Sequence, residues 1–175
     1  MRESEVQVGS SGTIASMNAL ELKIPPPLVA LFLAILMWLT RALAGTPALA
    51  GSLAIPLRLR LGVALALLCL GLSIAVSGFV AFRRARTTVN PIKASSASAL
   101  VSSGVYRFTR NPMYLGLLLA LFAWAVLLSN PLALLLLSVY VVYINRFQII
   151  PEERVLASLF GTEYSAYKES VRRWL

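Results

Sequence analysis

The chain contains no histidine and no aspartate. The first absence excludes imidazole metal ligands, histidine general bases and Ser-His-Asp triads. The second leaves glutamate as the only side-chain carboxylate, and none lies between Glu21 and Glu152. Carboxylate chemistry is therefore expected from the C-terminal segment, and no metal site is expected. The single cysteine, Cys69, sits inside an apolar run. It excludes an intrachain disulfide and reads as a small core or lipid-facing residue rather than a reactive thiol. Charge is also scarce, at 13% of residues, against about 25% in a soluble domain.

What fills the space is apolar. Hydrophobic residues make up 58% of the 175 positions, and the net charge is +9. The basic residues flank apolar runs, where they face anionic headgroups and set topology. The expected partner is a lipid bilayer, and nucleic acid is not expected.

Taken in order, residues 1–23 are polar, with Gly and Ser but no apolar core of a signal peptide. They read as a disordered extension, with Met17 as an alternative start. Ile24 to Thr40 is uncharged and at the lower length limit for a span, with Arg41 able to snorkel beyond it. Gly45 to Pro56 has loop composition. Leu61 to Phe82 gives a second span whose small residues, Gly62, Gly71, Ser73, Ser77 and Gly78, suit close helix packing. A connector, residues 83–110, carries six basic residues and no acid. Its Leu100, Val101, Val105, Tyr106 and Phe108 are expected to pack at the interface.

No charge occurs from Asn111 to Asn145, a run too long for one span of about 20 residues. Ser129-Asn130-Pro131 is a turn signal in its middle. The pattern predicts a tight helical hairpin, Pro112 to Leu128 and Leu132 to about Ile150, with Asn111 capping the first helix and Pro112 in its first position. Pro151-Glu152-Glu153 reads as the N-terminus of a last helix. Val155, Leu156, Leu159, Phe160, Tyr164, Tyr167 and Val171 form its apolar stripe, and Gly161 is expected to break or bend it. The expected fold is an all-α integral membrane protein of about four transmembrane helices plus a cytoplasmic amphipathic C-terminal helix. Residues 24–175 form one domain in this reading, with the hairpin and last helix, 111–175, carrying the chemistry.

Lys and Arg orient the spans. With four crossings, the N-terminal tail, connector and C-terminal segment share one side and carry thirteen, against three in the first loop and none in the hairpin turn. The positive-inside rule makes the richer side cytoplasmic. Arg107, Arg110, Tyr106, Tyr114, Tyr164, Tyr167 and the Glu pair then face one compartment. Singly, each has a structural reading: interfacial anchor, aromatic belt or helix-dipole partner. Arg146 is more telling, because a charge at the end of a span needs a partner or water, and Glu152 or Glu153 is the expected partner. Together the group can form a cytoplasmic pocket for a zwitterionic cofactor and a lipophilic substrate.

The stretch Gly-Val-Tyr-Arg followed by Arg110-Asn111-Pro112-Met113-Tyr114-Leu115-Gly116, then Asn130-Pro131, Arg146, Pro151-Glu152-Glu153, Phe160-Gly161-Thr162-Glu163-Tyr164 and Tyr167, resembles the isoprenylcysteine carboxyl methyltransferase and phospholipid methyltransferase superfamily of membrane methyltransferases. The resemblance covers roughly residues 103–175. It implies S-adenosylmethionine as methyl donor, held by Tyr106, Arg110, Asn111, Pro112, Tyr114, Gly116, Glu153, Tyr164 and Tyr167. Arg146, Glu152 and Glu153 are the expected catalytic residues. Asn111 departs from the family's frequent histidine. Asn still donates and accepts hydrogen bonds, so the departure weakens proton transfer at that position more than binding.

Methyl transfer from a sulfonium is an in-line displacement that needs alignment and exclusion of water. A carboxylate acceptor is already ionised at neutral pH, which suits a chain without histidine. The leading expectation is carboxyl O-methylation of an isoprenylcysteine-like acid by an enzyme in a bacterial inner membrane, its site facing the cytoplasm. Phospholipid N-methylation and a non-catalytic helical membrane protein are the alternatives. For the topology, reporter fusions at Ser129 and at the C-terminus should score on opposite sides of the membrane. The same side for both would eliminate the hairpin reading.

Overall fold

The structure is a computed structural model that describes residues 21–43, 55–85 and 99–175. The expectations for residues 1–20 of the N-terminal extension, most of the first loop and the middle of the connector lie outside the described residues; in the rest of the extension Glu21 and Leu22 are buried. Within them every regular element is helical: α1 (Pro26–Leu43), α2 (Leu57–Arg84), a 3-10 turn (Gly104–Arg107), α3 (Pro112–Leu128), α4 (Pro131–Ile144), a π-helical turn (Asn145–Ile149) and α5 (Ile150–Ser170). Two helices are long and apolar enough to cross a membrane, α2 and the continuous run Pro131–Ser170, while α1 and α3 are shorter apolar helices. Large apolar side chains such as Phe32, Leu65, Leu72, Leu135 and Val142 are exposed on their outer faces. Membrane helices present such surfaces to lipid.

The hairpin forms as the turn signal predicts. Ser129 adopts a left-handed conformation that ends α3, and the Asn130 side chain accepts from the Leu132 amide at 2.9 Å while Pro131 occupies the first turn of α4. That cap satisfies a donor that water would otherwise have to meet. Arg60, placed by sequence before the second span, lies inside α2. It donates to the carbonyl of Leu127 at 3.1 Å, near the carbonyl-rich end of α3.

Helix α2 packs on α3 through glycine. A Cβ at Gly71 would stand 2.8 Å from the Gly116 carbonyl, one at Gly116 would stand 2.6 Å from the Gly71 carbonyl, and one at Gly78 would meet the ring of Pro112 at 2.9 Å. The backbones touch where neither side offers a side chain. Only part of the expected small-residue face takes part. Gly62 has open space beside it, and Ser73 and Ser77 bond back to Cys69 and Ser73 of their own helix. Cys69 is exposed.

The expected break between the fourth span and the C-terminal helix is absent. Helix α4 runs through the π turn into α5, with helical backbone angles at Ile144, Ile149 and Ile150. Pro151 cannot donate to the carbonyl of Phe147, four residues earlier. That carbonyl instead accepts from the Leu22 amide at 3.0 Å, and the buried Gln148 side chain donates to the Ile24 carbonyl at 2.8 Å. The approach to α1 thus docks on the π turn. The expected bend is present at Gly161, which sits at φ 50° inside α5.

The main core gathers α1, α3, α4 and the π turn around Met37, Leu121, Ala133, Tyr140, Ile144 and Ile149. A second cluster joins Val101 and Tyr106 of the connector to Tyr164 and Tyr167 of α5. Phe108, expected to pack with them, is 73% exposed.

Gly116→Ala is expected to lose about 1–3 kcal/mol of stability through overpacking, read as earlier thermal unfolding in detergent. Gly62→Ala, in open space, is expected to lose none.

Candidate active site

The last two helices place their carboxylates through the π turn. In an unbroken α-helix Glu153, seven residues after Arg146, would return almost to the same face. The π turn adds residues to one turn and so rotates the helix beyond it. Glu152 and Glu153 therefore do not meet Arg146. This corrects the expected pairing. Arg146 instead bonds Glu21 Oε1 at 2.8 Å, and Arg154 reaches the same oxygen at 2.9 Å. The hydrogen bond from Arg146, with the one from Arg154 and the charges of both, holds the buried Glu21 carboxyl below its ordinary range against the opposing effect of burial.

The rotated Glu153 faces the start of α3. Arg110 Nη2 donates to its Oε1 at 3.0 Å, and Arg173 grips both oxygens, Nε to Oε1 at 3.0 Å and Nη2 to Oε2 at 2.7 Å. Two oxygens met by a planar fork make the stronger kind of charged pair. The Glu153 bond holds Arg173 even more firmly protonated than usual. The main chain repeats the contact: the Arg110 amide donates to the Arg172 carbonyl at 3.1 Å. Asn111 Nδ2 donates to the Arg173 carbonyl at 2.9 Å. Asn111 precedes α3, but its side chain does not cap the helix, because the C-terminal segment has captured it.

Glu152 points to a different partner. The Tyr114 hydroxyl donates to its Oε1. The Tyr114 carbonyl in turn accepts from the hydroxyl of the fully buried Tyr140 at 3.2 Å. Glu152 lies past the uncharged run that ends at Asn145, beyond the apolar part of the continuous helix. Burial pushes its carboxyl up to about 7, the Tyr114 bond opposing and the Glu153 charge adding. Two neighbouring carboxylates thus have opposite fates. Glu153 is locked in ion pairs, and Glu152 can take or give a proton near neutral pH.

Aromatic residues close the flank. Tyr167 donates to the Tyr106 carbonyl at 2.8 Å, Tyr164 and Tyr167 have ring centroids 6.3 Å apart, and Phe82 meets Tyr106 edge-on at 5.4 Å. Burial, then the neighbouring Tyr167 and Glu152, keeps the Tyr106 phenol protonated well above its ordinary range.

The structure thus gathers Arg110, Asn111 and Glu153 in one charged group, Tyr114 with Glu152 in a second, and Tyr106, Tyr164 and Tyr167 in a third. Pro112 packs under Gly78 and Gly116 against Gly71, both in the α2–α3 contact, and Arg146 stands with Glu21. Sequence reading missed Arg173 and Trp174, whose indole donates to Asn145 Oδ1 at 3.1 Å. Arg-Arg-Trp after the last apolar position was the available signal.

These groups suit a zwitterionic sulfonium cofactor. Arg110 Nε is buried without a protein partner and is a donor for a carboxylate. The Glu152 carboxylate and tyrosine ring faces suit ammonium and sulfonium charge. Among the described residues no cluster of His, Cys, Asp or Glu could hold a metal ion.

A family model described as phospholipid methyltransferase matches residues 59–163. An uncharacterised protein of Haemophilus influenzae is 54% identical over 63 residues, which is 36% of this chain and all of that protein. The protein-S-isoprenylcysteine O-methyltransferase of Schizosaccharomyces pombe is 31% identical over 62% of this chain and 46% of its own length. Methanethiol S-methyltransferase 1 of Bradyrhizobium diazoefficiens is 36% identical over 38% of this chain and 22% of its own. The chain spans about half the length of the isoprenylcysteine methyltransferases that it matches. No solved structure matches.

Raising a buried carboxyl from its ordinary value to about 7 makes the folded state bind the proton more tightly than the unfolded chain. Glu152 therefore supports folding fully at low pH, and that support is lost as pH rises through about 7. Relative to Glu152→Gln, the wild type is expected to lose roughly 1–3 kcal/mol between those limits. Thermal unfolding of both proteins across this pH range checks it; parallel curves would remove Glu152 as the titrating group.

Proposed function

Starting from a chain that belongs to the phospholipid methyltransferase family, we propose that it transfers a methyl group from S-adenosylmethionine to a lipophilic acceptor at the membrane. The observation that carries this reading is the meeting of Arg110, Glu153 and Arg173 beside the Tyr114–Glu152 pair. Arg110, with Asn111 and Glu153 to fix it, would hold the cofactor's carboxylate. Tyr106, Tyr164, Tyr167 and Glu152 would hold its cationic portion. When bound, the cofactor supplies an electrophilic methyl on a sulfonium. The protein's part is to orient that group, keep water out with the tyrosine cluster, and manage any acceptor proton at Glu152.

Carboxyl O-methylation of an isoprenylcysteine-like acid is the first reading of the acceptor. The names of several relatives support it. A second reading is favoured by Glu152. A carboxylate acceptor brings no proton to remove, whereas an amine or thiol does, and Glu152 titrates where such a base must. The proposed setting is a four-span protein in a bacterial inner membrane with this site toward the cytoplasm.

Purified protein in native-like lipid is incubated with labelled S-adenosylmethionine and membrane extract. Base-labile label identifies an ester; base-stable label identifies an amine or thioether product. Transfer of no label to any lipophilic acceptor would sink the reading. Arg110→Ala is expected to weaken S-adenosylhomocysteine binding by about 2–4 kcal/mol, the contribution of a charge-assisted contact with its partner left unpaired. Calorimetry checks it. In the ester case Glu152→Gln should weaken cofactor affinity but retain most turnover once the cofactor saturates. In the amine or thiol case it should lose roughly 100-fold or more, together with the rise in rate near pH 7.

A further inference from the structure

Outside the site just described, the described residues form an apolar groove. It lies between α1 and α4, has a volume of about 270 Å³, and is lined by residues that include Ile24, Phe32, Val139 and Tyr143. Its flank is open: Phe32 is 65% and Val139 50% exposed. On a membrane protein such a flank meets acyl chains.

The groove ends at the Glu21 cluster. Glu21 stands three residues before Ile24, in the turn that leads into α1, and Arg146 three residues after Tyr143, about one turn beyond it. Arg146 and Arg154 both bond Glu21 Oε1, and each side chain remains 43% exposed. Two guanidinium groups thus share one carboxylate at the polar end of a hydrocarbon-lined groove. A guanidinium has five N–H donors, and each of these commits one nitrogen to Glu21. The cluster is also separate from the Glu153 clasp. Glu153 and Arg154 are adjacent on α5 and project about 100° apart.

We propose that this groove is a binding site for an anionic phospholipid, with one acyl chain along α1 and α4 and the phosphate on Arg146 and Arg154. The guanidinium fork matches phosphate geometry, and basic pockets beside membrane helices recognise anionic headgroups. The site does not depend on the proposed methyl transfer: Arg146, expected from sequence to be catalytic, stands with Glu21, and the proposed reaction assigns it no role.

The test uses the full chain in a neutral detergent, with native mass spectrometry or thermal shift as readout. Phosphatidylglycerol, phosphatidylcholine and oleate are titrated separately. Phosphatidylglycerol is expected to saturate and to bind about tenfold or more tightly than phosphatidylcholine. Replacing both cations, Arg146→Gln with Arg154→Gln, is expected to weaken phosphatidylglycerol about fivefold or more. Val139→Trp, at a half-exposed position that leaves the cluster intact, is expected to weaken it comparably by filling the groove. The proposal is overturned if phosphatidylglycerol and phosphatidylcholine bind alike, if oleate binds more tightly than phosphatidylglycerol, or if Val139→Trp binds as the wild type does.

Discussion

A proline inside a membrane helix leaves a carbonyl that must find another donor, and the rest of this structure depends on how that demand is met. Pro151 cannot serve Phe147, and the Leu22 amide does so instead. A buried carbonyl left unmet costs several kcal/mol, so the approach to α1 is fixed to the end of α4. The same turn is wound as a π helix, which redirects the side chains beyond it. One local backbone problem thus places Glu21 beside Arg146 and turns Glu152 and Glu153 toward α3.

The charges then divide into two groups with different solvation. Glu153 commits both oxygens to Arg110 and Arg173. Buried ion pairs contribute little net stability, but breaking one side leaves a charge unmet. The benefit here is placement, because the clasp ties the start of α3, the start of α5 and the segment after α5. Among the described residues Glu152 is left with a tyrosine and no cation, and burial raises its proton affinity.

Periodicity and turn chemistry made much of this legible. Ser129-Asn130-Pro131 announced the hairpin, and the small residues of α2 announced its close packing on α3, though only Gly71 and Gly78 carry it. The Arg110-to-Gly116 motif contains Arg110, one member of the charged group on Glu153. Partner choice was not legible. Arg146 bonds a residue 125 positions away, and no local spacing encodes that. Reading Pro151-Glu152-Glu153 as a helix start was reasonable on propensity, yet a tertiary donor, the Leu22 amide on the Phe147 carbonyl, made a continuous helix possible. Asn111 had the right chemistry for a cap but found a better acceptor in the Arg173 carbonyl.

The glycine contact between α2 and α3 also has a mechanical meaning. Interlocked backbones cannot slide or rotate against each other without lifting apart, so these two helices act as one stiff wall. Helix α5, whose tyrosines pack near Phe82 at the end of α2, instead bends at Gly161, with open space beside it. Tyr164 and Tyr167 lie beyond that bend, so the left-handed backbone at Gly161 sets the direction in which they reach Tyr106.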